Sequence, residues 1–390
     1  MYLTREEERI YDGEYGWMKQ VCMRILVKLG ELFGAERLIP IDSAHVSGVS
    51  YKTLGEAPTD FLETLAKSGE RIKVEATLNP QSFDPEHLSK RLPQKLLEKQ
   101  LSVLKVFEKM GFKNSYTCTP YYIREPEKNS HLAWAESSAV VYANSVLGAW
   151  TNREGGPSAL AAAIIGKTPD YGVHRVEGRK PNILVELQAP IKEEVEYGAL
   201  GIFLGKLLKD KVPIIKGLRD VSGEKLKQLG AALASTGMTN MFHYKDGVNR
   251  ENLEKITVEA RDIRKTIEES TTDPSGKPDL IFVGCPHCSI NEIKHVADHV
   301  GSRKIKNNVE FWVCTSRFIK EKAAEHVQKI EKSGAKVLTD TCAVVTWTEK
   351  LGIKTIMTNS AKTAHYAPTL NKARTILAPL RECLKTALTE

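Results

Sequence analysis

The chain has 390 residues, 41% of them hydrophobic, and a net charge of +7 from 56 Lys and Arg against 49 Asp and Glu. That length builds a large core and predicts two or three domains. The near balance of charge, with no basic stripe interleaved with aromatics, argues against nucleic-acid binding and suits an anionic small substrate or an acidic partner chain.

No apolar run approaches the roughly 20 residues of a membrane span. The charged stretch from Met1 to Tyr15 has no apolar leader core, so a cytoplasmic protein with no membrane partner is expected. Seven cysteines on such a chain point to metal or catalytic use rather than to a disulfide framework.

In chain order, residues 4–34 read as helical, with Leu26, Leu29 and Leu32 on a repeating face. A strand at 37–41 ends in Asp42-Ser-Ala-His-Val-Ser-Gly48. Residues 71–77 alternate like a strand and stop at Asn79-Pro80, and a long charged helix is expected over about 86–110. Ser115 to Pro120 reads as a strand broken by its proline. Strands at 183–187 and 212–215 alternate with helices at about 194–208 and 223–235, the pattern of parallel sheets with helices on their faces.

Thr271 to Pro278 concentrates turn formers and reads as a linker. Beyond it, strands at 279–283, 309–313, 336–338 and 354–358 alternate with helices at about 291–300 and 317–332, and a terminal helix is expected over about 371–388. The domains expected are 1–65, a segment joining the core; 66–270, an α/β region with a clamp loop; and 271–390, a doubly wound α/β domain carrying cysteines.

Ligands of open parallel sheets bind outside the carboxyl ends of the strands. Cys118, Cys285, Cys288, Cys314 and Cys342 are placed at or just after strand ends, whereas Cys22 and Cys383 sit among apolar helix neighbours and read as small buried hydrophobes. Cys285-Pro-His-Cys288 has CxxC spacing, which by itself leaves zinc, redox and cluster chemistry open. Thr151-Asn-Arg-Glu-Gly-Gly-Pro157 places an arginine and a Gly-Gly turn before a helix, a combination suited to gripping a carboxylate or phosphate. His45, among small hydroxyl residues, is a candidate acid or orienting group. Asn359, Ser360, Lys362 and His365 cluster just past a strand.

Seven segments in order, DSAHVSG (42–48), TLNP (77–80), YTCTPYY (116–122), TNREGG (151–156), GCPHCS (284–289), DTC (340–342) and TNSAKTAHY (358–366), resemble the large subunit of the aconitase X family over nearly the whole chain. The resemblance implies an aconitase-like α/β fold, with several doubly wound parallel-sheet domains around a central cleft. It implies an iron–sulfur cluster, [4Fe-4S] in type, held by Cys118, Cys285 and Cys342 with one iron not bound by protein. Cys288 ranks as the substitute ligand, and Cys314 matches no motif.

The resemblance further implies catalytic roles for His45 and Arg153. Ser47, Gly48, Asn79, Asn152, Glu154, Gly155, Asn359, Ser360 and Lys362 are implied on the substrate, with Lys362 or Arg124 available for a phosphate. No swivelling domain follows the last helix, so a separate small subunit carrying a serine base is the expected partner. The family's reactions are dehydration of (R)-5-phosphomevalonate to trans-anhydromevalonate 5-phosphate, in a modified mevalonate (isoprenoid) pathway, and of cis-3-hydroxy-L-proline. A Lys-, Glu- and Ile-rich, Gln-poor composition favours the first, which belongs to the two-chain archaeal forms. A metal-binding structural subunit of a larger complex is the alternative of another class.

Overall fold

Thr4 and Glu7 form a capping box that starts a helix at Arg5–Asp12, and Gly13, at φ 96°, ends it. A second helix, Trp17–Leu32, follows, so the single helix expected over 4–34 is two. The computed structural model describes residues 1–218, 221–245, 247, 252–273 and 275–389. These form two compact units, one of residues 1–79 and 94–180, the other of 80–93 and 181 onward.

In the first unit, strand β1 (Leu38–Pro40) pairs with β5 (Lys167–Pro169) in an antiparallel ribbon. Strands β2 (Ser43–Val46), β3 (Glu75–Leu78) and β4 (Leu132–Trp134) make a parallel sheet in the order β3-β2-β4. Single bridges extend both edges, Tyr116 beside Leu78 and Arg153 beside Trp134. The expected strand at 115–120 is thus one bridge. The helix Gly156–Ile165 is small and apolar all round, and every residue from Ser158 to Ile165 is buried. Such a helix belongs in a core, and here it joins Met23, Leu26, Leu62, Leu65, Ala76 and Leu78. Residues on both sides of position 65/66 therefore share one core.

The helix expected over 86–110 begins only at Gln94. Pro93 stands just before that start, where a missing N–H costs nothing. Residues 80–93 belong to the second unit. There Asp84 accepts from the Thr339 backbone N–H (2.6 Å) and hydroxyl (3.0 Å), and Arg91 grips both oxygens of Glu310 at 2.8 and 2.6 Å. Burial raises the Asp84 carboxyl, but hydrogen bonds from His87 and Thr339 outweigh it and hold it at about 2.

The second unit has two parallel sheets. Strands β6 (Ile183–Leu187), β7 (Pro213–Lys216) and β8 (Glu254–Val258) lie in the order β7-β6-β8. The helices Glu194–Leu208 and Gly223–Thr236 approach closely at Gly201, where a Cβ would stand 2.5 Å from the Leu229 carbonyl oxygen. The larger sheet contains β9 (Leu280–Val283), β10 (Glu310–Thr315), β11 (Lys336–Thr339), β12 (Thr355–Thr358) and β13 (Arg374–Leu377), in the order β11-β10-β9-β12-β13. The chain winds outward from β9 to β11, then returns to build β12 and β13 on the other side. The order reverses between β9 and β12, the position at which doubly wound sheets open a ligand crevice.

Several expected elements change. The terminal helix expected at 371–388 divides into β13 and a helix at Leu380–Ala387, with the β-branched Thr375 and Ile376 in the strand and Pro379 before the helix. Strand β8 was not expected. Cys314 lies inside β10 rather than after it. Of the linker expected at 271–278, Pro274 lies outside the described residues. Thr272 and Asp273 are tied to the sheet, Asp273 by bonds from the Thr355 hydroxyl (2.8 Å) and Arg374 (3.3 Å).

Candidate functional site

The first unit assembles its polar residues at the carboxyl end of the sheet β3-β2-β4. His45 on β2 is wholly buried. Its Nδ1 lies 2.7 Å from the Thr77 hydroxyl and its Nε2 2.9 Å from Asn79 Oδ1. Asn79 Nδ2 donates to Glu136 Oε2 at 2.9 Å, and Glu136 Oε1 accepts from the Ser138 hydroxyl at 2.7 Å. This network fixes the protons. A carboxylate only accepts, so the Asn79 NH2 faces Glu136 and its oxygen faces the ring. Nε2 therefore carries the ring hydrogen, and Thr77 donates to Nδ1. Burial depresses the His45 pKa against the opposing Asn79 bond and Glu136 charge, and the ring is neutral. Its one N–H is already given to Asn79, which suits the orienting alternative expected of His45 rather than the acid, and Asn79, expected on the substrate, has both ends of its amide engaged within the protein. Sequence reasoning missed Glu136; the signal available was Glu136-Ser-Ser138 opening a helix.

The loop 151–154 runs along β4, with the Glu154 N–H donating to the Trp134 carbonyl. Successive side chains of an extended chain point to opposite sides, so Asn152 and Glu154 turn inward. Asn152 donates to the Tyr171 carbonyl (2.9 Å) and accepts from Val173 N–H (3.0 Å). Glu154 accepts from the Ser158 and Thr168 hydroxyls at 2.5 and 2.8 Å, and burial raises its pKa against those bonds. Both residues, expected on the substrate, are occupied holding the loop. Arg153 between them is only half-buried. Gly155 caps the helix Gly156–Ile165, and a Cβ on Gly156 would meet the Ser47 carbonyl oxygen at 2.8 Å. Ser47, Gly48 and Gly156 thus line one mostly apolar cleft with Leu54, Phe61 and Leu160. Cys118 is buried just past the Leu78–Tyr116 bridge. Arg124, one of the two groups expected for a phosphate, is paired with Asp42 (2.9 Å) and Glu75 (3.0 Å).

Behind this loop, His174 Nδ1 lies 2.9 Å from His131 Nδ1, and Arg179 stacks 4.6 Å over the Trp150 ring. Burial, then the charges of His131 and Arg179, push the His174 pKa down to about 3. A folded-state value below the ordinary 6.5 means that the unfolded chain takes up the proton first. The stability this neutral ring contributes is therefore complete above about pH 6.5 and lost as pH falls toward about 3. His174→Gln is expected to flatten the fall of the unfolding free energy between pH 7 and 4, by up to about 1.4 kcal/mol per pH unit, as read by denaturant titration at each pH. Equal slopes for both proteins would show that His174 does not set the acid limit.

In the second unit, β9 ends at Gly284, at φ 108°, where a Cβ would stand 2.3 Å from the Cys314 carbonyl oxygen. This glycine turn delivers Cys285. Cys342 follows β11 after Asp340-Thr341. The two thiols are close enough for the charge of one to oppose ionisation of the other. Burial first, then Cys285, pushes Cys342 up to about 12, while the Val345 and Val344 N–H groups and the Lys362 charge act the opposite way. Asn359, after β12, is buried, and its Oδ1 meets no hydrogen-bond partner among the described residues. Ser360 caps the helix Ala361–Leu370 by accepting from Thr363 N–H at 3.2 Å. Asn359, Ser360 and Lys362 thus remain together at the end of β12.

Cys288 is buried, and burial first, then the Glu292 charge, raises its thiol strongly, with the Cys285 charge adding to the rise and the Lys227 charge acting the opposite way. Cys22, Cys314 and Cys383 are buried in cores. Sequence reasoning missed Gln81, next to the motif ending at Pro80. Its backbone binds both Asp340 and Thr341, and its buried Oε1 meets no partner among the described residues. No group of three or more His, Cys, Asp or Glu side chains is arranged to hold a metal ion among the described residues; within the second unit, the charge of Cys285 acts on both Cys342 and Cys288.

Three family descriptions match the chain: aconitase X first domain over residues 1–177, second domain over 181–268 and third domain over 278–389. The gaps contain the unit break at 180/181 and most of the turn-rich stretch 271–278. A protein named phosphomevalonate dehydratase large subunit, from Methanocaldococcus jannaschii, is 45% identical, the match covering 99% of this chain and 100% of that one. Its namesake from Methanothermobacter thermautotrophicus is 46% identical over 94% of both chains. A cis-3-hydroxy-L-proline dehydratase of Pseudomonas aeruginosa is 32% identical over 98% of this chain but 69% of its own. Among solved structures, Thermococcus kodakaraensis aconitase X (holo-form) superposes with a TM-score of 0.92 at 40% identity, covering 99% of this chain and 100% of that one.

Proposed function

Because this chain belongs to the aconitase X family, we propose that it is the large subunit of a hydro-lyase that dehydrates (R)-5-phosphomevalonate to trans-anhydromevalonate 5-phosphate in a modified mevalonate pathway of isoprenoid biosynthesis. The observation that carries this reading is the 45% identity along the full length of an archaeal phosphomevalonate dehydratase large subunit. Against the cis-3-hydroxy-L-proline dehydratase, identity falls to 32% and about a third of the relative's length has no counterpart here.

The residues fit an iron–sulfur cluster. Cys118, Cys285 and Cys342 are all buried thiols, and soft sulfur donors suit iron–sulfur chemistry. Cys118, Cys285 and Cys342 would hold the cluster, [4Fe-4S] in type with one iron not bound by protein. When bound, it supplies a Lewis-acidic iron for the departing hydroxyl.

In the reaction the C2 proton and the C3 hydroxyl leave, and a C2–C3 double bond forms. Arg153, at the Gly155-Gly156 turn, grips the substrate carboxylate with two parallel bonds and stabilises the charge that grows as C2 loses its proton. Ser47, Gly48 and Gly155 shape the adjoining wall. Asn79, Asn152 and Glu154 hold that wall from behind, with His45 orienting Asn79. Asn359 and Ser360 supply pocket polar groups, and Lys362 supplies a cation for the anionic substrate. The serine base that takes the C2 proton comes from a small swivel-domain subunit, and the two chains form a cytoplasmic heterodimer.

The test is anaerobic purification with that small subunit and assay on both substrates. Turnover of phosphomevalonate by the pair, and none by this chain alone, is expected. Preference for cis-3-hydroxy-L-proline overturns the substrate assignment, and zinc in place of iron and sulfide overturns the enzyme reading in favour of a structural subunit.

A further inference from the structure

A buried network joins the two cysteine loops of the second unit without touching the reacting groups. Lys227, on the helix Gly223–Thr236, is 1% exposed. Its ammonium donates to the His287 carbonyl at 3.0 Å and pairs closely with Glu292. Glu292 in turn accepts from Ser289 N–H at 2.7 Å and is fixed by the capping box of the helix Ile290–Val300. The wholly buried His287 ring then spans to the other loop, with Nε2 2.9 Å from the Thr341 carbonyl oxygen. A carbonyl only accepts, so Nε2 carries the hydrogen. Thr341 is anchored in turn, its hydroxyl donating to the Gln81 carbonyl at 2.7 Å.

The placement matters. His287 is two residues past Cys285, and the carbonyl it grips belongs to the peptide leading into Cys342. One ring hydrogen bond therefore ties the two loops together, and a buried lysine holds the backbone of the residue that makes it.

We propose that His287, braced by Lys227, is a positioning residue that sets the span between the Cys285 and Cys342 loops and so governs how firmly the cluster is retained. This rests on the reading that both cysteines ligate the cluster. Partners behind metal ligands typically change metal affinity by about 10–100-fold when removed.

The experiment compares wild type, His287→Leu, His287→Gln and Lys227→Met after anaerobic reconstitution. It measures iron and sulfide per chain, the rate of visible bleaching by an iron chelator, and the EPR spectrum of the reduced protein. Leucine at 287 should bleach at least about tenfold faster with an altered EPR signal. Glutamine, whose terminal N–H reaches about as far as Nε2, should restore the slow rate. Lys227→Met, which removes the brace, should bleach faster than wild type. A wild-type bleaching rate and EPR signal in His287→Leu overturn the inference, as does a glutamine variant that bleaches as fast as the leucine one. Should the leucine variant fail to fold, the other two decide alone. A wild-type chain that takes up no iron and sulfide overturns the cluster reading, and this inference with it; a loaded wild type with unaltered variants overturns the inference alone.

Discussion

Cys342→Ser should leave a folded chain with less than about a tenth of the wild-type iron and sulfide and no brown absorbance. The side chain is 7% exposed and the substitution nearly conserves volume, so the packing around it survives. What changes is the donor. Burial and Cys285 oppose ionisation at this position, and the Val344 and Val345 N–H groups with Lys362 favour it; a serine hydroxyl does not ionise near neutral pH even with that help. The hard oxygen is also a poor match for iron–sulfur chemistry. Cys285→Ser should behave alike, because it removes a second sulfur donor of the proposed ligand set. Cys288→Ser is the control, and should keep its cluster, because Cys288 is outside the proposed ligand set and the Glu292 charge opposes its thiolate. Iron and sulfide analysis of anaerobically reconstituted protein, with circular dichroism to confirm folding, reads all three. Retention by Cys342→Ser together with loss by Cys288→Ser would transfer the ligand role to Cys288.

Arg153→Ala should retain the cluster and lose turnover, with kcat/KM for phosphomevalonate falling by about 10²–10³-fold, the scale seen when a donor to developing charge is removed. Lysine at this position should recover little, because a single ammonium cannot reproduce two parallel guanidinium bonds. The alternation along 151–154 sharpens the expectation. Asn152 and Glu154 spend their polar groups on Tyr171, Val173, Ser158 and Thr168, so the loop remains supported when Arg153 is shortened. The measurement pairs steady-state kinetics of the two-chain enzyme with cluster content. Parallel loss of both would make Arg153 a structural residue.

The sequence was most legible where one residue type marks one position. Leu280–Val283 is an unbroken apolar run, as a strand buried on both faces should be, and Gly284 and Cys285 follow it directly. The ends of β9, β11 and β12 could therefore be read before any coordinates. β13 was not legible: its four residues, Arg374–Leu377, are too short to show a period and merged with the following helix. The roles of His45, Asn79, Asn152 and Glu154 were not legible for a different reason. Polar residues in a turn look alike on paper whether they face a substrate or a partner such as Tyr171 or Glu136, and only the fold says which. Lys227 was hidden similarly, as one charge in the lysine-rich helix Gly223–Thr236.

The excursion of residues 80–93 limits how such a protein can be inherited and divided. Asp84 and Arg91 reach the C-terminal sheet through Thr339 and Glu310, yet they are encoded inside the N-terminal unit. A gene fragment specifying only 181–390 would omit the carboxylate that receives the Thr339 amide, and one ending at 180 would carry fourteen residues whose partners are missing. The units are interleaved in the reading frame. Recombination, domain shuffling and piecewise expression must therefore move this chain as a single block, and during synthesis Arg91 and Asp84 wait 219 and 255 residues for Glu310 and Thr339.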